Sequence, residues 1–309
     1  VAGGQPFEVT TLRHDVETDG RRARVAFTDD WAADAGRRDF TINALYCDAS
    51  GSIFDPAGGL ADLAARRVRF IGEPTARIRE DYLRILRLFR FSARYSGGSI
   101  DAAGLAAAVR MQHGLDGLSG ERVRAELLRL LVAATAADVI EVMADCGIAG
   151  RLTGGIVRPS RLRRLIAVET QLQLVADPIR RLAALTLYIA EDAERLALRL
   201  KLSNAERDRL ADLAAVAEAV QPSGSWPPSA SSLNEDLYRR GQAAVRDRLL
   251  LAAIEQEDGA GRHQLAGAIT LTQEFRRPVF PLSGRTLIER GMKPGPAIGE
   301  ALARFAAIE

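Results

Sequence analysis

Glu80-Asp81-Tyr82-Leu83-Arg84-Ile85-Leu86-Arg87-Leu88-Phe89-Arg90 sets apolar and charged residues on separate sides of one helix. Ile78, Tyr82, Ile85, Leu86 and Phe89 recur at three- and four-residue intervals and form a stripe for burial. Arg77, Asp81, Arg84, Arg87 and Arg90 recur on another side and line up along the axis. Pro74 opens the pattern and Gly97-Gly98 follows it, so the spacing predicts one helix over roughly 74–94. Two uses of the charged side stay open. It is either a solvated face with internal ion pairs, or a row of donors aimed at something held. Several arginines beside the single Asp81 leave surplus N–H groups facing one way. Such a row suits an anion with several oxygens, or base edges that need both a donor and an acceptor.

Upstream, Arg37-Arg38-Asp39-Phe40-Thr41-Ile42-Asn43-Ala44-Leu45 is a second charged cluster at the entrance to a β-prone segment. A local salt bridge fixing a turn explains it equally well, and the Asn43 amide suits the same purpose. Pro6 to Arg13 reads as a strand, and the polar run His14–Arg24 as a mobile loop. Thr28 is the expected cap of a short helix through Ala35, and Asp48-Ala49-Ser50-Gly51 the turn of a hairpin. From Leu60 onward the chain reads as helices near 102–112, 120–133, 135–145, 161–174, 178–199 and 204–219. Ser203-Asn204-Ala205-Glu206 has the form of a capping box, and Gln221–Ser229 that of a linker. The fold class expected is α+β: a small mixed head over 1–60, a helical neck over 61–133, a body over 134–220 and a tail over 221–309.

Composition bounds the answer without choosing it. The 309 residues are 47% hydrophobic and 27% charged with a formal charge of +2, ordinary for a globular protein. Lys201 and Lys293 are the only lysines, so arginine, the bidentate phosphate binder, supplies the remaining positive charge. Coding bias accounts for that excess as well as function does. Cys47 and Cys146 belong to no metal-spaced set, and only His14, His113 and His263 accompany them, which argues against zinc. The same cysteines argue against a disulfide and for a reducing cytoplasm. No run of about 18 apolar residues exists, so no membrane span is expected.

The order Arg-Arg-Asp-Phe-Thr-Ile-Asn-Ala-Leu, then Asp55-Pro-x-Gly-Gly59-x-x-Asp62-Leu63, then Glu80-Asp81-x-x-Arg84 resembles the class II tRNA nucleotidyltransferase and bacterial poly(A) polymerase family. The likeness is specific over residues 6–95 and runs on through Ser119-Gly-Glu121-Arg122-x-x-x-Glu126. It thins to Leu202–Arg207 and Gly295-Pro-x-Ile-Gly299. The resemblance implies a polymerase-β-like head and template-independent addition of the 3′-terminal CCA of tRNA from CTP and ATP. Arg38 and Asp39 would contact the sugar and phosphates of the incoming nucleotide. Asp81 and Arg84 would read its base, and Arg87 and Arg90 would hold triphosphate or support the pocket. The implied cofactor is Mg2+, held in the family partly by an Asp-x-Asp pair after a Gly-Gly-x-x-Arg-Asp loop. Neither element is found here, Gly3-Gly4 being followed directly by Gln5-Pro6. Glu8 sits where a third acidic residue would lie and is the catalytic and metal candidate. The chain is therefore expected to be a fragment without turnover of its own, missing roughly 80–90 residues at its start by domain-size reasoning. The loop after residue 14 favours full CCA addition by the same resemblance. Arg122, Arg124, Arg158, Arg161, Arg163 and Arg164 are the tRNA-contact candidates, with Glu121, Arg122 and Glu126 also suited to bracing helices.

Overall fold

The computed structural model describes residues 11–19, 22–218, 226–255, 262–277 and 283–306. The N-terminal part is small and mixed. Strand β1 (Arg13–Asp19) pairs antiparallel with β2 (Arg22–Phe27), Arg13 opposite Phe27, with an irregularity between Asp15 and Glu17. The run read as a mobile loop is thus a hairpin. Its charges obscured the β-favouring Val16 and Thr18. Helix α1 (Trp31–Gly36) is capped by Asp30, whose carboxylate accepts from the Ala32 and Ala33 amides. Thr28, the expected cap, instead accepts a bond from the Asp30 amide at 3.0 Å. The expected second hairpin is present but short, β3 (Tyr46–Cys47) against β4 (Ile53–Phe54). Helix α2 (Gly59–Ala64) starts where the Asp55 carboxylate accepts from the Gly59 and Leu60 amides. Gly59 is obligatory, because a Cβ there would lie 2.2 Å from the Thr41 carbonyl oxygen.

The expected single helix over 74–94 is two helices. Glu73 and Pro74 open α3 (Pro74–Glu80), and α4 (Leu83–Tyr95) follows. Between them Asp81 is extended, at φ −156° and ψ 110°, and its carboxylate caps the Leu83 amide at 3.1 Å. Of the expected apolar stripe, Ile78, Ile85 and Phe89 are fully enclosed and Leu86 nearly so, while Tyr82 is half-buried. Beyond it come α5 (Ala102–Met111), α6 (Gly120–Leu131), α7 (Ala136–Asp145), α8 (Ile148–Thr153) and α9 (Pro159–Gln171). The helix expected over 178–199 also divides, into α10 (Pro178–Thr186) and α11 (Glu191–Leu200). Asp192, in the first turn of the second piece, accepts from the Tyr188 and Ile189 amides and so holds the break. Apolar spacing continues across both breaks, which hides them from periodicity. Helix α12 (Asn204–Glu218) opens on the expected capping box, Ser203 and Glu206 bonding reciprocally. Among the described residues α13 (Ala230–Arg240), α14 (Gln242–Ala253), α15 (Arg262–Glu274), α16 (Gly284–Glu289) and α17 (Pro296–Ala306) follow.

One hydrophobic core runs from Phe40 through α4, α6, α7, α9 and α10 to α14 and α15. Charges are buried within it. Glu169 on α9 bonds Arg180 and Arg181 on α10, Arg180 reaches Asp247 on α14, and Asp247 accepts from Arg209 on α12. Glu169, Arg180 and Asp247 are essentially inaccessible, so the network persists only because every charge has a partner. Among the described residues no helix is long and apolar enough to cross a membrane.

Candidate functional site

The two charged clusters come together. Backbone pairing starts it: the Thr41 amide donates to the Arg69 carbonyl, the Ile71 amide to the Asp39 carbonyl, and Phe40 bridges Phe70. The Phe40 ring is wholly buried against Phe70 and Phe91, with ring centres 4.8 and 5.1 Å away. This fixes Arg38 and Asp39 beside α3 and the first turns of α4. Thr41 and Asn43 serve the turn, Thr41 bonding the buried Asp62 at 2.6 Å and Asn43 accepting from the Phe40 amide. Arg67 and Arg69 complete the surroundings of Asp62, whose carboxyl burial would raise but these bonds hold low.

Arg84 is the joint between the clusters. Its Nε donates to Asp39 at 2.8 Å, and its Nη1 to Glu80 and to the Arg77 carbonyl. Its Nη2 donates to the Arg37 carbonyl at 3.3 Å. Arg77 closes the same seam, donating to the Arg38 carbonyl at 2.6 Å and to both oxygens of Glu80. Burial, with Arg84 close by, lowers the Arg77 pKa from its ordinary value. Arg87 contacts the other oxygen of Asp39. Asp39 is therefore shared by Arg84 and Arg87 and nearly buried.

Arg38 points to a different acid. Asp34, completely buried, takes Arg38 at 2.9 Å, Arg37 at 2.6 Å, the Tyr46 hydroxyl at 2.6 Å and the Arg13 amide at 3.2 Å. Burial alone would raise its pKa, but the bonds from Tyr46, Arg38 and Arg37 hold it well below the usual carboxylate range. The same burial and the same hydrogen bond push Tyr46 up to about 12. Asp34 was missed in the sequence. The signal was there, since it precedes Arg37 and Arg38 by three and four positions on a helix.

The side chains of Asp81 and Arg84 are not paired with each other. Asp81 projects from the break and accepts from Arg122 on α6 at 2.7 Å. Arg90 bonds Glu126 at 2.5 Å and stacks on Phe91, its guanidinium carbon 4.3 Å from the ring centre. Arg122 and Glu126 thus tie α6 to the break and to α4, and Arg122 also touches the base-reading candidate. Asp81 stays about a quarter exposed and Arg84 about a tenth, so neither is sealed inside the apolar core.

Other candidates scatter. Arg161 is buried against Glu255 and the Leu187 carbonyl and cannot present itself to RNA. Arg124 is held by Glu206, and Arg163 by Asp138 and Glu141. Arg158 lies over the Tyr188 ring, and Arg164 is exposed. Glu8 lies outside the described residues. Among those described, no group of three or more His, Cys, Asp or Glu is placed to hold a metal ion. Asp34, Asp39, Glu80 and Asp81 are each paired with a positively charged arginine, so they do not fit a metal centre.

Residues 1–69 match the family model described as the Poly A polymerase head domain. Residues 99–153 match that of a probable RNA and SrmB-binding site of polymerase A. The chain is 34% identical to the mouse mitochondrial CCA tRNA nucleotidyltransferase 1, covering 96% of itself and 67% of that protein. It is 30% identical to the CCA-adding enzyme of Geobacillus thermodenitrificans, covering 97% and 73%. In structure it is similar to the Bacillus stearothermophilus CCA-adding enzyme solved with CTP, at a TM-score of 0.67 and 27% identity, covering 98% and 74%. The Thermotoga maritima CCA-adding enzyme solved with tRNA has the same fold, at a TM-score of 0.55 and 21% identity, covering 88% of this chain and 68% of that one. With its head, its buried helical core and its joined charged clusters, this chain belongs to the family of CCA-adding tRNA nucleotidyltransferases.

Proposed function

We propose that the break between α3 and α4 selects the base of an incoming CTP or ATP, for addition to the 3′ end of tRNA. One observation carries this: the hydrogen-bonding capacity left over at Asp81 and Arg84. A carboxylate offers about four acceptor positions. Asp81 uses one oxygen on the Leu83 amide and the other on Arg122. A guanidinium offers about five donors. Arg84 commits its Nε, both Nη1 hydrogens and one from Nη2, which leaves an Nη2 hydrogen. Cytosine and adenine each present an amino donor beside a ring-nitrogen acceptor, which an acceptor from Asp81 and a donor from Arg84 match. Guanine and uracil present the opposite pattern and would leave buried polar groups unpaired. The protein's own residues replace template bases.

Arg38 and Asp39 stand at the same seam and would meet sugar and phosphates, with Arg87 and Arg90 behind them. Asp34 keeps Arg38 in place. Nucleotidyltransferases of this family use Mg2+ to promote phosphoryl transfer. The described carboxylates do not fit that ion, and no step is assigned through them. Glu8 is kept as its candidate ligand. The head over 1–60 and the neck over 61–133 would meet at Arg84, with the body over 134–220 and the tail over 221–309 supporting tRNA. Two free cysteines suit a reducing compartment such as the cytoplasm.

A poly(A) polymerase shares these motifs, and binding separates the two. A tRNA lacking its 3′ CCA should compete for the chain at least about tenfold better than oligoadenylate of equal length. Equal or better competition by oligoadenylate would transfer the reading to poly(A) synthesis.

A further inference from the structure

Along the α4–α6 face the carboxylates run out before the arginines do. Asp39 and Glu80 are taken by Arg84, with Arg87 also on Asp39. Glu126 is taken by Arg90, and Asp81 by Arg122. Two arginines farther along the same face remain. Arg94, one helical turn beyond Arg90, is exposed and has no carboxylate partner among the described residues. Arg129, on α6 one turn past Glu126, is 68% exposed and only 3.8 Å from that already occupied carboxylate. The nearby Asp138, beside Gly98, is bound to Arg163. Positive charge is therefore concentrated at the end of the row remote from Asp81.

Aromatic rings accompany it. Arg94 lies over Tyr95, 5.4 Å from the ring centre, and Tyr95 is 38% exposed. Tyr95 continues to Phe91 at 5.6 Å, and Phe91 carries Arg90 and Arg87. Guanidinium groups interleaved with rings along one helix match a single nucleic-acid strand, whose phosphates take the charge and whose bases or sugars take the rings.

We propose that Arg94, Tyr95 and Arg129 form a track for the phosphate backbone of the tRNA acceptor strand as it approaches Asp81 and Arg84. This rests on the function proposed above and extends that site by about one helical turn beyond Arg90. Arg94 and Arg129 are positioning residues, since they meet the RNA backbone away from the reacting atoms.

The test measures binding by the full chain of a tRNA lacking its CCA, and separately of CTP, across a series of salt concentrations. Arg94→Gln with Arg129→Gln should weaken tRNA binding about tenfold at 0.1 M salt. The double variant should also flatten the logarithmic salt dependence by roughly 0.7–0.9 per arginine removed. CTP affinity should hold within about twofold, and Arg94→Lys with Arg129→Lys should restore the salt slope. Both positions are exposed, so the variants should melt with the unaltered chain. An unchanged tRNA affinity and slope would overturn the inference, as would an equal loss of CTP binding, which would give the arginines to the triphosphate. If the unaltered chain bound no tRNA, the failure would belong to the proposed function instead.

Discussion

Asp34 shows how one buried carboxylate can hold a site it never enters. It joins Arg13, Arg37, Arg38 and Tyr46, and it is the group on which the head end of the seam depends. Removing it strands two guanidinium groups that are only partly exposed. Asp34→Asn should cost about 2–3 kcal/mol, below the 3–5 of a fully buried pair because water screens Arg38. Its pH signature has a definite sign. The folded carboxyl is depressed, so its stabilisation is complete above the unfolded value of about 3.9 and drains as pH falls below that toward the folded value. Urea unfolding between pH 6 and 3 should show a shallower acid loss in Asp34→Asn than in the unaltered chain. Equal slopes would remove Asp34 from the account. At this scale the sequence was informative about types and silent about partners. The arginine row was legible because helical spacing aligns it. The Arg38–Asp34 pair was announced by its spacing, but that Arg84 would bond Asp39 depended on chain pairing at 39–41 and 69–71, which no local pattern announces.

The element that matters is the bend between α3 and α4. Periodicity read it as continuous helix, since Ile78, Ile85 and Phe89 keep their spacing across it. What produces it is tertiary. Tyr82 lies over Gly114, where a Cβ would fall 1.9 Å from the ring, and Arg122 draws the Asp81 carboxylate outward. The bend turns a residue of an ordinary charged face into one that projects at the seam. Gly114→Ala should displace Tyr82, costing about 1–3 kcal/mol as overpacking does. It should also blunt the preference for CTP and ATP without touching either nucleotide. Tyr82→Ala in the same chain should relieve the clash, so the double variant should be less destabilised than the two single costs added. Thermal melts and nucleotide competition read both effects. Strict additivity would mean that Gly114 and Tyr82 do not act on each other.

Across the whole molecule, the helices are tied together by buried charge as well as apolar packing. Glu169, Arg180, Arg181, Asp247 and Arg209 link α9, α10, α12 and α14. Glu169→Ala should cost about 3–5 kcal/mol, because two buried guanidinium groups lose their acceptor. A loss under about 1 kcal/mol by chemical denaturation would show that water or rearrangement replaces it. None of this network was legible, since an amphipathic helix shows its charges without saying which face inward. The order of modules was legible, from a mixed head to helices throughout, because composition changes at residue 60. Base selection at the bend remains the claim on which the rest depends, and affinity for the four nucleoside triphosphates tests it without requiring turnover. The unaltered chain should bind CTP and ATP at least about tenfold more tightly than UTP and GTP, and Asp81→Ala should bring the four within about threefold. Four equal affinities in the unaltered chain, or a preference that survives Asp81→Ala, would contradict it.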